Sequence, residues 1–173
     1  MPAEEFAREF AERAHDAQKY GEFPYVVHLA AVRAVLADFG FNDEDFAVAA
    51  WLHDVLEDTP TEADFLELMF GSAVTHLVWA VTGKGKNRKE RNADAYSKIA
   101  DHPRAVPLKL ADRIANVEAT TKNSPRLLEM YRKEHASFKE SLRVASYQAS
   151  GYTGISEEQI AAMWARLDKA IAG

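Results

Sequence analysis

The amino-acid sequence predicts an all-α protein. Apolar residues recur at spacings of three and four along most of the chain, as expected of helices that bury one face. Glycine and proline separate these periodic runs at positions that are typical of helix ends. No run alternates convincingly between apolar and polar residues, and none contains a hairpin turn between two apolar strands. We therefore expect a helical bundle of roughly eight or nine helices around one core.

Length and composition predict a single globular domain, residues 1–173. Hydrophobic residues make up 47% of the chain and charged residues 28%, which is ordinary for a folded domain of this size. The longest apolar runs, such as 46–52, fall far short of the roughly 20 residues that cross a bilayer. The acidic N-terminus lacks the features of a signal peptide. We therefore expect a cytoplasmic protein without a membrane partner, and the sequence leaves a homo-oligomer open.

The first two helices are separated by a break between Gly21 and Pro24. Pro2 suits the first turn of a helix, where a backbone N–H is not needed. The apolar stripe of this first helix comprises Phe6, Phe10, Ala14 and Ala17. The second helix covers about 24–39 and ends at Gly40, because glycine readily adopts the conformation that follows a helix end.

Shorter helices fill the middle of the chain. Asn42 or Asp43 can cap a third helix that reaches about Glu57. The fourth helix begins after Thr61 and ends at Gly71. The remaining helices are expected at about 74–81, 87–100, 103–121, 125–149 and 156–172.

The distribution of charge bears on the partners of the chain. The formal net charge of −6 argues against a nucleic-acid partner, because the phosphate backbone is usually met by a basic surface. The segment 84–91 is a local exception, with five cationic side chains and one anionic side chain. It is either a solvated loop and helix start, or an anion-attracting rim beside an active site that would suit a phosphorylated small molecule.

The pair His53-Asp54 lies in an otherwise apolar helix. On a continuous helix Asp54 neighbours both Glu57 and Asp58, so one imidazole and three carboxyl groups share a short stretch. Charges buried there without a partner would cost several kcal/mol, and a bound cation would remove that cost. The alternative is that this turn is the exposed end of the helix and is surrounded by water.

Two further polar residues stand in apolar helices. His28 is either a core histidine bonded to a carbonyl oxygen or a metal ligand, and Asp112 is either an ion-pair partner of Lys109 or Arg113 or a ligand. Each alternative is plausible for one residue alone. Candidate ligands on three different apolar helices together indicate a metal site, and the absence of cysteine excludes thiolate ligands.

The ordered set of motifs resembles the HD-domain phosphohydrolases, specifically the hydrolase domain of the RelA/SpoT class and its small stand-alone relatives. The matching segments are Ala14-His15-Asp16-Ala17-Gln18, Pro24-Tyr25 with His28, Leu52-His53-Asp54 with Glu57-Asp58-Thr59, Val81-Thr82, and Lys109-Leu110-Ala111-Asp112-Arg113 with Asn116. Each motif is short, but the order and spacing of the set are specific. The resemblance covers about residues 4–140, and the C-terminal helices occupy 125–172.

The resemblance implies one divalent cation, usually Mn²⁺, and an HD-type helical bundle. The implied ligands are His28, His53, Asp54 and Asp112, a nitrogen and oxygen set that is also compatible with Fe, Co or Zn. Glu57 and Asp58 match the catalytic acidic pair of the family, which would orient or deprotonate a water molecule. Lys19, Tyr25, Lys109 and Asn116 are the implied substrate-binding residues, and His15 is expected to support the site or pack beside it.

The implied substrate is a phosphorylated nucleotide, guanosine tetra- or pentaphosphate, and the implied activity is that of a 3′-pyrophosphohydrolase. The chain departs from the family pattern at two positions, because Lys19 is the only cation in its segment and Ala115 cannot stack on a base. One alternative is therefore an HD phosphohydrolase for a different nucleotide. Another is a catalytically silent nucleotide-binding regulator, although a pure binding protein has no need of Glu57 and Asp58.

Overall fold

Helices form nearly all of the regular structure, which confirms the predicted all-α class. The computed structural model describes the backbone of residues 1–173 and the side chains of residues 1–120 and 124–173. The helices are α1 (Ala3–Ala14), α2 (Val26–Asp38), α3 (Glu44–Leu52), α4 (Val55–Asp58), α5 (Ala63–Phe70), α6 (Ser72–Val81), α7 (Arg88–Asp101), α8 (Val106–Asn123), α9 (Pro125–Ala149) and α10 (Glu157–Ala172), with a 3-10 turn at Pro103–Ala105 before α8.

Side-chain caps explain where several helices begin. The Asp43 carboxylate accepts a hydrogen bond from the backbone N–H of Phe46, as predicted for the start of α3. Asn87 caps α7 in the same way. Ser156 and Gln159 form a reciprocal capping box at the start of α10. These local bonds fix helix starts that sequence patterns predicted to within a few residues.

The structure differs from the sequence expectations at three places. α1 ends at Ala14, so Ala17 of the predicted apolar stripe lies outside the helix. The predicted helix 43–57 is divided at His53-Asp54 into α3 and α4, because Asp54 adopts φ −103° and ψ −3°. The expectation that the chain has no hairpin is wrong. A short antiparallel pair is formed by β1 (Lys19–Tyr20) and β2 (Phe23–Pro24), and Gly21 adopts a φ of +61° in the turn between them. Two residues per strand are too few to produce an alternating pattern, so the sequence carried no signal for this hairpin.

The three helices that carry the candidate ligands pack together in the core. α2 lies against both α3 and α8, and α8 in turn contacts α9 and α10. Fully buried side chains such as Leu29, Leu52 and Ile114 fill the space between them. Most residues of α2 and α3 are apolar, and His28, in the middle of α2, is buried in the protein. In the part of the chain described here, no helix combines the length and hydrophobicity needed to span a membrane.

Candidate active site

Two buried histidines and an aspartate bring their polar atoms together between α2, α3 and α8. Nε2 of His28 lies 3.2 Å from Nε2 of His53. Oδ1 of Asp112 lies 3.3 Å from the first of these nitrogens and 3.7 Å from the second. Both rings are almost inaccessible, at 1% and 2% exposure. These three residues can therefore offer a metal ion three donor atoms that lie within 4.8 Å of one another.

Asp54 adds a fourth donor because the helix is broken at this residue. Its Oδ2 atom lies 2.9 Å from Nε2 of His53 and 3.5 Å from Nε2 of His28. In a continuous helix of 3.6 residues per turn, the side chains of residues 53 and 54 would point about 100° apart. The break lets two consecutive residues direct their side chains to the same point.

The donor set fits a bound cation. Nδ1 of His53 lies 2.8 Å from the carbonyl oxygen of Ala50 and donates to it, so Nε2 is the ring nitrogen that is placed to bind a metal. Two Nε2 atoms and two carboxylate oxygens that face one another repel unless a positive charge lies between them. Two imidazoles and two carboxylates without sulfur are suitable ligands for a divalent transition metal.

Within this cluster, the charges of neighbouring side chains and burial shift the pKa of each group in opposite directions. Burial acts to lower the pKa of His28 and His53, but the carboxylates of Asp54 and Asp112 raise the pKa of both rings above the ordinary value. Burial acts to raise the pKa of both carboxyl groups, but His28 and His53 lower the pKa of each well below the ordinary range, and Lys109 lowers that of Asp112 further. The cluster therefore favours cationic charge at its centre.

Three of the four predicted substrate-binding residues contact the candidate metal ligands. The hydroxyl of Tyr25 donates to Oδ2 of Asp54 over 2.6 Å. Nδ2 of Asn116 donates to Oδ1 of Asp112 over 2.7 Å, and Nζ of Lys109 lies 3.3 Å from the other oxygen. Burial and the Asp54 charge raise the pKa of Tyr25, so its hydroxyl stays a donor. Each of these contacts orients a ligand carboxylate.

The acidic pair Glu57 and Asp58 lies on α4, directly after the break, at the mouth of a cavity. Oε2 of Glu57 accepts the backbone N–H of Gly83 over 3.2 Å, and its Oε1 lies 3.7 Å from Nε of Arg91. Oδ2 of Asp58 accepts a hydrogen bond from Nε2 of Gln18 over 2.8 Å. Both carboxyls are only partly shielded from solvent, and this partial desolvation raises the pKa of each.

The cavity has a volume of about 240 Å³ and a strongly polar lining. Its lining residues are Tyr25, His28, Asp54, Glu57, Asp58, Val81, Gly83, Arg88, Arg91, Asn92, Ala95, Lys109, Asp112, Arg113, Asn116 and Tyr131. Arg88 and Arg91 come from the basic segment 84–91, so part of that segment borders the cavity. Lys84, Lys86 and Lys89 of the same segment are exposed to solvent.

A carboxylate of α9 holds two of the cavity arginines. Oε1 of Glu134 accepts from Nε of Arg88 over 2.6 Å, and Oε2 accepts from Nη1 of Arg113 over 3.0 Å. The Arg113 guanidinium also lies over the ring of Tyr131. Glu134 could not be predicted as a site residue, because no local sequence pattern indicates that α9 passes beside α7 and α8.

The sequence predicted some of the remaining residues near the site and missed others. Lys19 is exposed on β1 and is not among the residues that line the cavity. His15 is buried and reaches the site through Gln18, in agreement with the expected supporting position. The role of Gly83 was missed, although a Cβ atom at this residue would lie only 2.4 Å from the carbonyl oxygen of Arg91. The close approach explains the glycine, and only the folded structure reveals it.

Comparisons with known proteins identify a matching family and several similar relatives. A family model described as HD domain matches residues 7–140, which includes every candidate metal ligand. A guanosine-3′,5′-bis(diphosphate) 3′-pyrophosphohydrolase of Aquifex aeolicus is 42% identical over 125 residues, 67% of this chain and 18% of that protein. The bifunctional (p)ppGpp synthase/hydrolase SpoT of Escherichia coli is 37% identical over 117 residues, 62% of this chain and 16% of that protein. The chain thus spans less than a fifth of the length of these relatives.

A solved structure is similar over nearly the whole chain. It belongs to a protein reported as "A metazoan ortholog of SpoT hydrolyzes ppGpp and plays a role in starvation responses", and its TM-score is 0.70. The similarity covers 96% of both chains at 25% sequence identity. The helical arrangement is therefore shared along nearly the full length, beyond the part that the longer relatives match.

Proposed function

The chain belongs to the HD domain family, and we propose that it is a metal-dependent phosphohydrolase that removes the 3′-pyrophosphate of guanosine 3′,5′-bis(diphosphate). The observation that carries the proposal is the convergence of four donor atoms beside a cavity that the acidic pair lines. Relatives named for this reaction, at 35% to 42% identity, support the choice of substrate. A cytoplasmic location stays a prediction from the sequence, which leaves a homo-oligomer open.

His28, His53, Asp54 and Asp112 would hold one divalent cation, which we propose to be Mn²⁺. Nitrogen and oxygen donors without sulfur support this choice over metals that prefer thiolate. When bound, such a cation polarises a phosphoryl oxygen and lowers the pKa of a coordinated water molecule. Tyr25, Asn116 and Lys109 would keep the ligand carboxylates in place, since each already contacts one of them.

Glu57 and Asp58 would take up the proton of the attacking water. Partial desolvation raises the pKa of both carboxyls, which brings them closer to neutral pH and makes each a better base. A hydrogen bond from Gly83 orients the Glu57 carboxylate, and one from Gln18 orients the Asp58 carboxylate. The contacts do not favour one of the two acids over the other.

The cationic side chains of the cavity would receive the phosphate groups. Arg88, Arg91 and Lys109 provide positive charge on the wall near the acidic pair, where an anionic leaving group would develop charge. A volume of about 240 Å³ lies below the roughly 300–1,000 Å³ of sites that enclose a whole small molecule. We infer that the phosphate end of the nucleotide enters the cavity and that the base stays outside.

A hydrolase with a different nucleotide as substrate is the second candidate function. Ala115 is 5% exposed and lies in the core, so it cannot contact a base. Lys19, the other position at which the chain departs from the family pattern, is exposed on the hairpin. Both observations support a site that recognises phosphate groups more strongly than the base.

The test is a product analysis on a panel of nucleotides with Mn²⁺. We expect release of pyrophosphate from guanosine 3′,5′-bis(diphosphate), and no release from GDP or GTP, which lack a 3′-pyrophosphate. Faster release from an adenosine analogue would favour the second candidate function. Glu57→Ala should keep the metal and lose most of its turnover, and an unimpaired variant would exclude the proposed role of Glu57.

A further inference from the structure

A chain of two hydrogen bonds links the N-terminal segment to the carboxylate of Asp58. Nδ1 of His15, at the end of α1, lies 2.7 Å from Oε1 of Gln18. Nε2 of Gln18 then donates to Oδ2 of Asp58 over 2.8 Å, between residues that are 40 positions apart. The link therefore connects the segment before β1 with α4.

The chemistry of the end group fixes the direction of both hydrogen bonds. An ionised carboxylate can only accept, so Gln18 turns its NH₂ group towards Asp58 and its oxygen towards His15. Because an amide oxygen only accepts, Nδ1 of His15 must carry a proton and donate it to Gln18. The ring is 4% exposed and packs against Tyr25 with a centroid distance of 4.8 Å, so its orientation is restricted.

The backbone of Gln18 is also held at both of its polar groups. Its N–H donates to the carbonyl oxygen of His15 over 2.8 Å, and its own carbonyl oxygen accepts the N–H of Tyr25 over 3.3 Å. Asp58, by contrast, is exposed at the end of the four-residue helix α4. A short exposed side chain of this kind samples several rotamers unless a partner restricts it.

We propose that Gln18, oriented by His15, is a positioning residue that fixes the Asp58 carboxylate for catalysis; this inference rests on the proposed hydrolase function. Gln18 contacts Asp58 and not Glu57, which is held separately by Gly83 and Arg91. Correct placement of a catalytic group accounts for a substantial part of rate enhancement, and its loss reduces kcat more than KM.

The test compares Gln18→Leu, which keeps the size of the side chain and removes both hydrogen bonds, with the wild-type protein loaded with Mn²⁺. We expect kcat on guanosine 3′,5′-bis(diphosphate) to fall roughly 10- to 100-fold, with KM within about threefold and one metal ion per chain. Gln148→Leu is the matched control, because Gln148 is exposed on α9, and its kcat should not change. A kcat of Gln18→Leu within twofold of an active wild type would overturn the proposal.

Two further variants separate positioning from a general structural effect. In an Asp58→Asn background, Gln18→Leu should reduce the residual kcat less than about twofold, because the group that it positions is already lost. Multiplicative losses in the double variant would contradict the inference. His15→Asn, whose side-chain NH₂ lies near the position of Nδ1, should retain several-fold more activity than His15→Leu. Equal losses in the two variants would contradict a role for the Nδ1 hydrogen bond.

Nuclear magnetic resonance tests the hydrogen-bond chain without any turnover. The His15 ring should carry its proton on Nδ1, and the side-chain amide signal of Gln18 should shift in Asp58→Asn. A proton on Nε2 of His15, or an unshifted amide signal, would exclude the link. A wild-type protein that hydrolyses none of the nucleotides would refute the proposed function, and this measurement would still decide whether Gln18 restrains Asp58.

Discussion

Nε2 of His53 lies 2.9 Å from Oδ2 of Asp54, although the two residues are consecutive in the chain. Consecutive side chains of a regular helix point about 100° apart and do not meet. The backbone conformation of Asp54 ends α3 and lets α4 start at the next residue, so both side chains face α2 and α8. The local break is therefore the structural feature that assembles the candidate metal centre.

The first prediction concerns metal binding by this pair. Asp54→Ala removes the donor that the break supplies, and we expect the variant to bind less than a tenth of the metal bound by the wild type. Elemental analysis of protein dialysed after loading with Mn²⁺ provides the measurement. His76→Ala, at an exposed histidine of α6, is the control and should bind one ion per chain. Full occupancy of the Asp54→Ala protein would remove Asp54 from the ligand set.

The second prediction concerns the hydroxyl group of Tyr25. Tyr25→Phe removes the 2.6 Å hydrogen bond to Asp54 and keeps the ring that packs on His15. Loss of a group that orients a metal ligand typically weakens metal binding about 10- to 100-fold. A titration of metal-free protein with Mn²⁺ should therefore give a Kd raised by at least about tenfold. Unchanged affinity would mean that the ligand carboxylate needs no such support.

Gly83 is the subject of the third prediction. Gly83→Ala would place a Cβ atom 2.4 Å from the carbonyl oxygen of Arg91, so the backbone must move. This movement would weaken the hydrogen bond from the backbone N–H of Gly83 to Glu57. Overpacking of this kind typically costs about 1–3 kcal/mol of the free energy of unfolding. Denaturant unfolding should reveal that loss, and kcat should fall with it. A Cβ atom at Gly151 would lie 3.2 Å from its nearest neighbour, so Gly151→Ala should reduce the free energy of unfolding by less. Equal reductions in the two variants would contradict this explanation of Gly83.

The fourth prediction is a pH dependence of stability. Burial acts to raise the pKa of Glu134, but the guanidinium groups of Arg88 and Arg113 lower it below the ordinary value of 4.5. A group whose pKa is lower in the folded state stabilises the fold above its unfolded-state pKa, and this contribution is lost as the pH falls through the folded-state pKa. The free energy of unfolding of Glu134→Gln should therefore be lower than that of the wild type at pH 7, and the difference should shrink below pH 4.5.

The size of this effect follows from hydrogen bonds to a charged group, which typically contribute about 1.5–3 kcal/mol. Glu140→Gln serves as the comparison, because Glu140 forms an ion pair with Arg143 on the exposed surface of α9. Exposed pairs contribute about 0–1 kcal/mol, so this variant should show little change at any pH. A difference for Glu134→Gln that stays constant between pH 7 and pH 3 would contradict the assignment.

Helix positions were predictable from the sequence because their signals are local. The caps at Asp43 and Ser156 and the glycine at residue 71 lie within a few residues of the helix ends that they determine. Leu52, Val55 and Leu56 continue the apolar pattern across the break, so periodicity predicted a continuous helix there. At the break, Asp54 contacts His28 and Tyr25, which are distant in sequence. A local sequence pattern cannot predict such contacts.

The order of the motifs predicted the candidate metal ligands. It did not predict which residues contact those ligands in the folded protein. Tyr25, Lys109 and Asn116 were assigned to substrate, and the structure places them on ligand carboxylates. Glu134 and Gly83 act through contacts between helices or loops that are remote in sequence. Interactions of this kind depend on tertiary packing, and a single sequence without its fold carries no signal for them.

The central claim is tested most directly by adding Mn²⁺ to metal-free protein and measuring, in the same samples, bound metal and pyrophosphate released from guanosine 3′,5′-bis(diphosphate). We predict that release rises in proportion to bound metal, stops increasing at one ion per chain, and is absent in Asp54→Ala. Release that persists in the metal-free protein, or a folded and fully loaded protein that releases no pyrophosphate, would contradict the account.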